Sequence, residues 1–244
     1  MMLVAHRGSA GTAPENTMAA FRAAAVAGAD MIELDVRFSA ECACVVIHDR
    51  TLRRTTNGHG RVHTQTLAHL RSLDAGSWFS RHCAGERIPT LAEVLQELPA
   101  SVGVDIEVKT DGDPRSLRLR ASALARTIEH HGHNRLIIVS SFDHRFLAIL
   151  ARHAPSLAIG ILVQPLRDLT RRPSRIARRT GAIAVFCSRR IIRHRLVDDA
   201  HRHGISIGVY CVDTPAQLAK LQRYGVDMIF TNYPETILPC LAPE

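Results

Sequence analysis

Two carboxylates stand two residues apart in the apolar stretch from Met31 to Val36. Side chains of a strand alternate between its two faces, so Glu33 and Asp35 share one face while the apolar residues share the other. Burying two adjacent carboxylates without a counter-charge is unfavourable, because they repel each other and lose their hydration. A divalent cation that prefers oxygen ligands, such as Mg2+ or Ca2+, removes that penalty. The pair therefore indicates a metal site, unless one carboxylate only pairs with an arginine at a strand end.

A second strand-like stretch, Val104 to Lys109, repeats this arrangement and places Glu107 and Lys109 on one face. Near the carboxyl end of a barrel strand, both side chains would point into the mouth, where the catalytic groups of such barrels collect. Glu107 then becomes a third carboxylate for the cation. The alternative is a simple ion pair between Glu107 and Lys109 at the strand end.

Two of the 14 histidines end strand-like runs, namely His6, which Arg7 follows, and His48. An imidazole gains or loses a proton near neutral pH and can therefore serve as a general acid or base. Two cationic side chains and a metal ion can neutralise an anionic phosphoryl group. This set of groups predicts hydrolysis of a phosphodiester. His6 and His48 would be catalytic in that reaction. Arg7 and Lys109 would bind the substrate.

Strand-like runs alternate with helical patterns at a spacing of roughly 25 to 30 residues, which is typical of βαβ units around a parallel sheet. Eight such units predict an α/β fold, a (β/α)8 TIM barrel that brings these strand ends to one rim. An open doubly wound sheet is disfavoured, because no glycine-rich phosphate loop follows the first strand. The predicted strands span residues 3–8, 31–36, 103–109, 136–142, 158–163, 182–188, 206–212 and 228–231. The predicted helices span residues 15–27, 91–97, 116–131, 144–153, 167–179, 193–203, 215–223 and 234–241.

A ninth strand-like run, residues 44–49, is separated from the second strand by residues 37–43 alone. A parallel crossover needs about a dozen residues, so the run should instead form a β-hairpin extension with the second strand. If the turn is centred between Glu41 and Cys42, Asp35 lies opposite His48 and both project to the same face. A turn shifted by half a residue would place residue 47 or 49 opposite Asp35 and turn His48 away.

With 244 residues, of which 46% are hydrophobic, the chain can bury the core of a single domain spanning residues 1–244. No run approaches ~18 consecutive apolar residues, so we expect no membrane span. The first residues reach His6 and Arg7 too soon for the apolar region of a secretory signal, which predicts a cytoplasmic protein. In that reducing compartment the six cysteines are expected as free thiols, with Cys42 and Cys44 a weak metal candidate.

The net charge of +8 is carried almost wholly by arginine, since Lys109 and Lys220 are the only lysines among 31 basic residues. The densest arginine run lies on a helix-like segment, residues 167–179. It could contact an anionic partner such as nucleic acid or lipid headgroups. We favour a solvated outer helix and expect no nucleic-acid partner, because no aromatic residues interleave to stack on bases. The arginines of this segment are Arg167, Arg171, Arg172, Arg175, Arg178 and Arg179.

Several short motifs extend this pattern over nearly the whole chain. They are AHRG at residues 5–8, APENT at 13–17, IELDV at 32–36, VVIHD at 45–49, LRRTTNG at 52–58, IPTL at 88–91, IEVK at 106–109 and, more weakly, TNYP at 231–234. Together they resemble the glycerophosphodiester phosphodiesterase family, in its bacterial cytosolic type. The resemblance implies a (β/α)8 barrel with a small insertion after the His-Asp strand, here about residues 50–87.

The resemblance also implies the chemistry of the site. One divalent cation, Mg2+ or Ca2+, would be held by Glu33, Asp35 and Glu107. His6 and His48 would be the acid/base pair, and we assign His6 to deprotonate the nucleophile and His48 to protonate the leaving alkoxide. The expected reaction converts a small-molecule glycerophosphodiester to sn-glycerol 3-phosphate and an alcohol. The nucleophile is either water or the substrate's own glycerol hydroxyl, which would react through a cyclic phosphate.

Two positions depart from the family pattern. Glu41-Cys42 stands where an Asp-Gly turn is common, and cysteine adopts a positive φ less readily than glycine. Tyr210 stands where Trp is common, and its added hydroxyl could change the shape of the pocket and the preferred alcohol. An alternative activity is that of a lysophospholipase D, for which Trp78 and Phe79 would have to grip an acyl chain. An alternative of another class is a non-catalytic binder of phosphate or nucleic acid.

Overall fold

A closed barrel of parallel strands organises the molecule, which is described by a computed structural model at residues 1–110, 115–132, 134–164, 172–178 and 180–241. Within these residues eight parallel strands form the barrel, which closes where β1 (Met2–His6) pairs with both β2 (Met31–Phe38) and β9 (Met228–Thr231). Strand β3 (Cys44–Val46) pairs antiparallel with β2. The predicted (β/α)8 fold and its hairpin extension are confirmed. The other strands are β4 (Gly103–Val108), β5 (Ile137–Ser141), β6 (Ala158–Leu162), β7 (Ala184–Ser188) and β8 (Ser206–Tyr210).

Helices connect the strands close to the predicted positions. The helix α1 begins at Met18 rather than at residue 15, because Thr17 caps it by accepting a hydrogen bond from the backbone N–H of Ala20. Of the predicted helix 167–179, residues 167–171 and 179 lie outside the described residues. No helix in the described part of the chain has the length and apolarity needed to cross a bilayer. The helices are α1 (Met18–Val26), α2 (Leu67–Ser72), α3 (Leu91–Glu97), α4 (Leu117–His131), α5 (His144–His153), α6 (Pro173–Ala177), α7 (His194–His201), α8 (Pro215–Gln222) and α9 (Pro234–Ile237).

Apolar side chains pack in two layers on either face of the barrel wall. The outer layer joins strand residues such as Leu34 to helix residues such as Phe21. The inner layer consists of strand residues and includes Phe186 and Phe230, whose rings meet edge to face with centroids 5.0 Å apart. A Cβ on Gly208 would lie 2.6 Å from Phe186 and 2.8 Å from Phe230, so glycine is required there for these rings to fill the barrel.

The insertion between β3 and α3 has an apolar cluster of its own. This cluster includes Val45 and Ile47, so the insertion is anchored to the hairpin beside the barrel mouth. The carboxylate of Asp74 organises one of its loops by accepting hydrogen bonds from the backbone N–H groups of Gly76, Ser77 and Gly85. The remaining members of the apolar cluster are Leu52, Val62, Leu70, Leu73, Ala75 and Ile88.

Candidate active site

Three carboxylates meet at the carboxyl-terminal rim of the barrel. Asp35 of β2 lies opposite Glu107 of β4 in the parallel register, and Glu33 precedes Asp35 on the same face. All three are buried, and one oxygen of each lies within 4.8 Å of the others. The Oε1 atom of Glu33 has no hydrogen-bond partner among the described residues. A buried cluster of oxygen atoms with an unpaired member fits the ligand preference of a hard divalent cation.

The three carboxylates differ in their readiness to ionise. Burial, followed by the charges of Asp35 and Glu107, raises the pKa of Glu33 well above its usual range. Burial and Asp35 also raise the pKa of Glu107. Burial acts to raise the pKa of Asp35 as well, but Lys109 and Arg7 outweigh it and hold that pKa below its usual range. Asp35 is therefore the firmly charged member, and binding of a cation would release protons from the other two.

Arg7 and Lys109 lie against the carboxylates, where the sequence predicted them. The Nε atom of Arg7 is 3.1 Å from Oδ2 of Asp35, and its backbone N–H donates to Oε2 of Glu33 at 2.9 Å. The Nζ atom of Lys109 is 3.0 Å from Oδ1 of Asp35 and also pairs with Glu107. The ion pair between Glu107 and Lys109 thus exists, but it includes Asp35 and belongs to the carboxylate cluster.

Asn16, which the residue-by-residue reasoning missed, fixes the orientation of Asp35. Its Nδ2 donates to Oδ2 of Asp35 at 2.8 Å, and its Oδ1 accepts from the backbone N–H of Asp35 at 3.1 Å. The preceding Glu15 accepts a hydrogen bond from Nη1 of Arg7 at 2.9 Å. The signal for both residues was the APENT motif, which lies in the loop between β1 and α1 at the same rim as the carboxylates.

His6 ends β1 with its Nδ1 hydrogen-bonded and its Nε2 turned towards Glu33. Its Nδ1 lies 2.8 Å from Oδ1 of Asn232 and 3.7 Å from Sγ of Cys211. Its Nε2 lies 3.9 Å from Oε2 of Glu33. Burial lowers the pKa of His6, but its contacts with Cys211 and Asn232 raise that pKa overall.

The turn of the β2–β3 hairpin differs from the predicted register by half a residue. The backbone N–H of Ser39 donates to the carbonyl of Ala43 at 3.0 Å, which closes a loop over residues 40–42 in which Cys42 has φ of 65°. Three-residue hairpin loops characteristically end in such a left-handed residue. Ile47 consequently lies opposite Asp35, and its N–H donates to the Asp35 carbonyl at 2.9 Å. The predicted pairing of Asp35 with His48 was wrong.

His48 nevertheless lines the same cavity as His6 and Glu33. Strand β3 ends at Val46, so the alternation of the strand does not direct the side chain of His48. The Nε atom of Arg37 donates to the His48 carbonyl at 2.8 Å and holds its backbone in place. Burial lowers the pKa of His48 although Asp35 and Asp49 oppose that shift, while Arg7 and Lys109 add to it.

An ion-pair chain joins the insertion to the barrel beside His48. Nδ1 of His48 lies 2.7 Å from Oδ1 of Asp49, whose Oδ2 accepts from Nε of Arg54 at 2.7 Å. Arg54 also contacts Oε1 of Glu15 at 2.7 Å. Arg54, another residue that the sequence reasoning missed, belongs to the LRRTTNG motif and links that motif to APENT.

These groups surround a cavity of about 280 Å³ at the barrel mouth. One wall is charged and the opposite wall is apolar. The hydroxyl of Tyr210, on the apolar wall, lies 3.5 Å from the carbonyl of Val163. The charged wall consists of His6, Arg7, Glu33, His48, Asp105, Glu107 and Lys109, and the rest of the lining of Ser140, Phe142, Leu162, Tyr210, Cys211 and Phe230.

The described residues of two other sequence candidates are not part of this cavity lining. Among the described residues the carboxylate cluster is the only group of three or more His, Cys, Asp or Glu side chains placed to hold a metal, and Cys42 and Cys44 are not in it. Both are free thiols. In the arginine-rich segment, Arg172, Arg175 and Arg178 are exposed. Its members Arg167, Arg171 and Arg179 lie outside the described residues.

Comparison with known proteins finds the same fold and family. The family model described as the glycerophosphoryl diester phosphodiesterase family matches residues 6–236. A glycerophosphodiester phosphodiesterase of Caldanaerobacter subterraneus subsp. tengcongensis is 37% identical over 238 residues, which are 97% of this chain and 96% of that protein. The solved glycerophosphodiester phosphodiesterase of Agrobacterium tumefaciens is 32% identical with a TM-score of 0.84, over 96% of this chain and 97% of that chain.

A second solved structure is that of a phosphodiesterase of Oleispira antarctica in complex with the product sn-glycerol-3-phosphate. It is 27% identical to this chain and has a TM-score of 0.91, over 99% of this chain and 96% of that chain. The similarity thus extends over the whole barrel as well as over the short motifs. The chain therefore belongs to the glycerophosphoryl diester phosphodiesterase family, and it is a phosphoric diester hydrolase.

Proposed function

We propose that the chain hydrolyses a glycerophosphodiester to sn-glycerol 3-phosphate and an alcohol, with one divalent cation, Mg2+ or Ca2+. One observation carries the proposal: three buried carboxylates lie together, and two of them line a cavity that two cationic side chains and two histidines also line. The product held by the Oleispira antarctica relative supports the choice of substrate. Residues 1–244 would act as a single catalytic domain, with residues 50–87 as its insertion.

Glu33, Asp35 and Glu107 would hold the cation. When bound, the cation would supply positive charge that polarises the phosphoryl group and offsets the charge of the transition state. Arg7 and Lys109 would donate to the anionic phosphoryl oxygens, since charge-assisted hydrogen bonds to phosphate are among the strongest available to a protein.

His6 would accept the proton of the nucleophile at Nε2, and His48 would protonate the leaving alkoxide. Without the cation, the pKa shifts run against these roles, because that of His6 is raised and that of His48 is lowered. Positive charge at the neighbouring carboxylates would disfavour the protonated form of His6 and so favour its use as a base. Attack by water and attack by the glycerol hydroxyl need the same base and acid.

The apolar wall of the cavity would pack against the carbon atoms of the substrate. Tyr210 belongs to this wall and would influence which alcohol is accepted.

In the alternative activity, that of a lysophospholipase D, Trp78 and Phe79 of the insertion would bind the acyl chain of the substrate. Their rings meet edge to face with centroids 5.7 Å apart, and Trp78 is 40% exposed. An acylated substrate therefore belongs in the test.

The test is an assay of sn-glycerol 3-phosphate release from glycerophosphocholine and glycerophosphoethanolamine, with choline release from lysophosphatidylcholine measured in parallel. Each assay is run in EDTA and after adding back Mg2+ or Ca2+. We expect turnover of the two soluble diesters that stops in EDTA and returns with the cation. Full activity in excess EDTA would rule out the proposed metal dependence. Turnover of lysophosphatidylcholine alone would show that the chain acts as a lysophospholipase D and not on soluble glycerophosphodiesters. The cytoplasmic location stays a prediction.

A further inference from the structure

His6, Asn232 and Asp213 form a chain of hydrogen bonds that leads away from the cavity. Oδ1 of Asn232 lies 2.8 Å from Nδ1 of His6, and Nδ2 of Asn232 lies 3.0 Å from Oδ2 of Asp213. Oδ1 of Asp213 also accepts from the backbone N–H of Asn232 at 2.8 Å and from the hydroxyl of Thr231 at 3.2 Å. Neither Asn232 nor Asp213 is among the described residues that line the cavity. Asn232 therefore contacts His6 on the side away from the cavity, and Asp213 acts on His6 through Asn232.

The chemistry of the three groups determines the direction of the chain. Carboxylate oxygens accept hydrogen bonds, so Asn232 must turn its NH2 group towards Asp213 and its carbonyl oxygen towards His6. A carbonyl oxygen has no proton, so a contact of 2.8 Å requires the hydrogen to lie on Nδ1 of His6. A neutral imidazole protonated at Nδ1 has its lone pair on Nε2. That nitrogen is the one that faces Glu33.

We infer that Asp213 and Asn232 are positioning residues that hold His6 in the tautomer with a free lone pair on Nε2. The inference rests on the role of His6 as a base in the proposed function. Asp213 is itself held in place, because its backbone N–H donates to Oε1 of Gln217 at 2.9 Å. The thiol of Cys211 is a weaker competitor for Nδ1, since it lies 3.7 Å away and sulfur is a poor hydrogen-bond partner.

Exchanging the two polar groups provides the sharpest kinetic test. In Asn232→Asp, two carboxylates face each other across the former hydrogen bond, and we expect kcat to fall roughly 10- to 100-fold, as for other lost orienting partners. KM should change little, because residue 232 does not line the cavity. Adding Asp213→Asn supplies an NH2 group at position 213 that donates to residue 232. The carboxylate at position 232 can then still accept a hydrogen bond from Nδ1 of His6. The double variant D213N/N232D should therefore recover most of the lost kcat.

Asn232→Leu is the comparison variant, because residue 232 then offers no hydrogen-bond acceptor to Nδ1 of His6. It should lose kcat to a similar extent, and Asp213→Asn should not restore it. If Asp213→Asn restores kcat in the Asn232→Asp variant and does not restore it in the Asn232→Leu variant, the effect comes from a hydrogen-bond chain and not from loss of packing.

The tautomer can be measured without any activity. We expect 15N NMR of the labelled protein to show Nδ1 protonated and Nε2 unprotonated in the wild type and in D213N/N232D, with His6 identified by comparison with His6→Ala. Asn232→Leu should show a mixture of tautomers. Cys211→Ala serves as the matched control and should leave the tautomer unchanged, because the contact to Asn232 remains.

A wild-type His6 protonated at Nε2 alone, or a double variant no more active than Asn232→Asp, would overturn the inference. A failure of the proposed function would look different. A fully active His6→Ala variant would remove the catalytic role of His6, and the tautomer of the wild type would still decide whether Asn232 and Asp213 orient the ring.

Discussion

The ammonium group of Lys109 lies 3.0 Å from Oδ1 of Asp35, inside the carboxylate cluster that would bind the cation. The same ammonium pairs with Glu107. Burial acts to lower the pKa of Lys109, but Asp35 and Glu107 raise it above its usual value, so the side chain stays charged. A divalent cation would therefore have to share two of its ligands with a lysine.

Cation binding should consequently be measurable as stabilisation. At a concentration of 100 times Kd, a ligand of the folded state contributes about 2.7 kcal/mol. For a chain of this size we expect a rise in Tm of roughly 5–10 °C with Mg2+ or Ca2+. Asp35→Asn keeps the shape of the side chain and should abolish the rise. Circular dichroism during heating measures the Tm of the wild type and of Asp35→Asn, with samples in EDTA as the reference. An equal rise in the wild type and the variant would place the cation elsewhere.

The leaving group should distinguish the two histidines. If His48 is the general acid, His48→Ala should lower kcat/KM for glycerophosphocholine by roughly 10²- to 10⁴-fold, because a poor leaving group needs the proton. The same variant should be partly rescued on a nitrophenyl diester, whose nitrophenolate departs without protonation. His6→Ala, having lost the base, should be impaired on both substrates. The reverse pattern would exchange the two roles, and a His48→Ala variant of wild-type activity on both would remove His48 from the site.

The contact between Arg54 and Asp49 should stabilise the fold in a pH-dependent way. Arg54, with a smaller contribution from His48, lowers the pKa of Asp49 from 3.8 to about 2, so the stabilisation is complete above pH 3.8 and is lost as pH falls towards about 2. Arg54→Gln should therefore be less stable than the wild type at pH 6, and the difference should begin to shrink below about pH 4. Urea unfolding across this pH range measures it. The adjacent exposed arginine, changed as Arg53→Gln, is the control and should show no such dependence.

The hairpin turn should gain stability from glycine. Cys42 has φ of 65°, where a side chain is strained and glycine is not. Cys42→Gly and Cys42→Ala both lose the packing of the thiol, and only the first relieves the strain. We expect Cys42→Gly to be more stable than Cys42→Ala by about 1 kcal/mol, which is roughly 2–4 °C in Tm. Equal stability of the two variants would contradict the left-handed conformation of this residue.

The sequence by itself determined the barrel and the chemical groups at its mouth. Period-two alternation requires Glu33 and Asp35 to share a face, and short parallel strands joined by helices bring the ends of β2 and β4 to one rim. That local logic sufficed to predict the carboxylate cluster with Arg7 and Lys109 beside it, and the structure shows them there.

Only the tertiary structure decided how these groups are held. The register of the hairpin depends on whether its loop contains two or three residues, and that depends on the backbone conformation of Cys42, which residue type does not dictate. Asn16 binds Asp35 across 19 positions, and Asn232 binds His6 across 226. Periodicity describes neighbours along one element, whereas these contacts arise because closure of the barrel brings the loop after β1 and the end of β9 to the same rim.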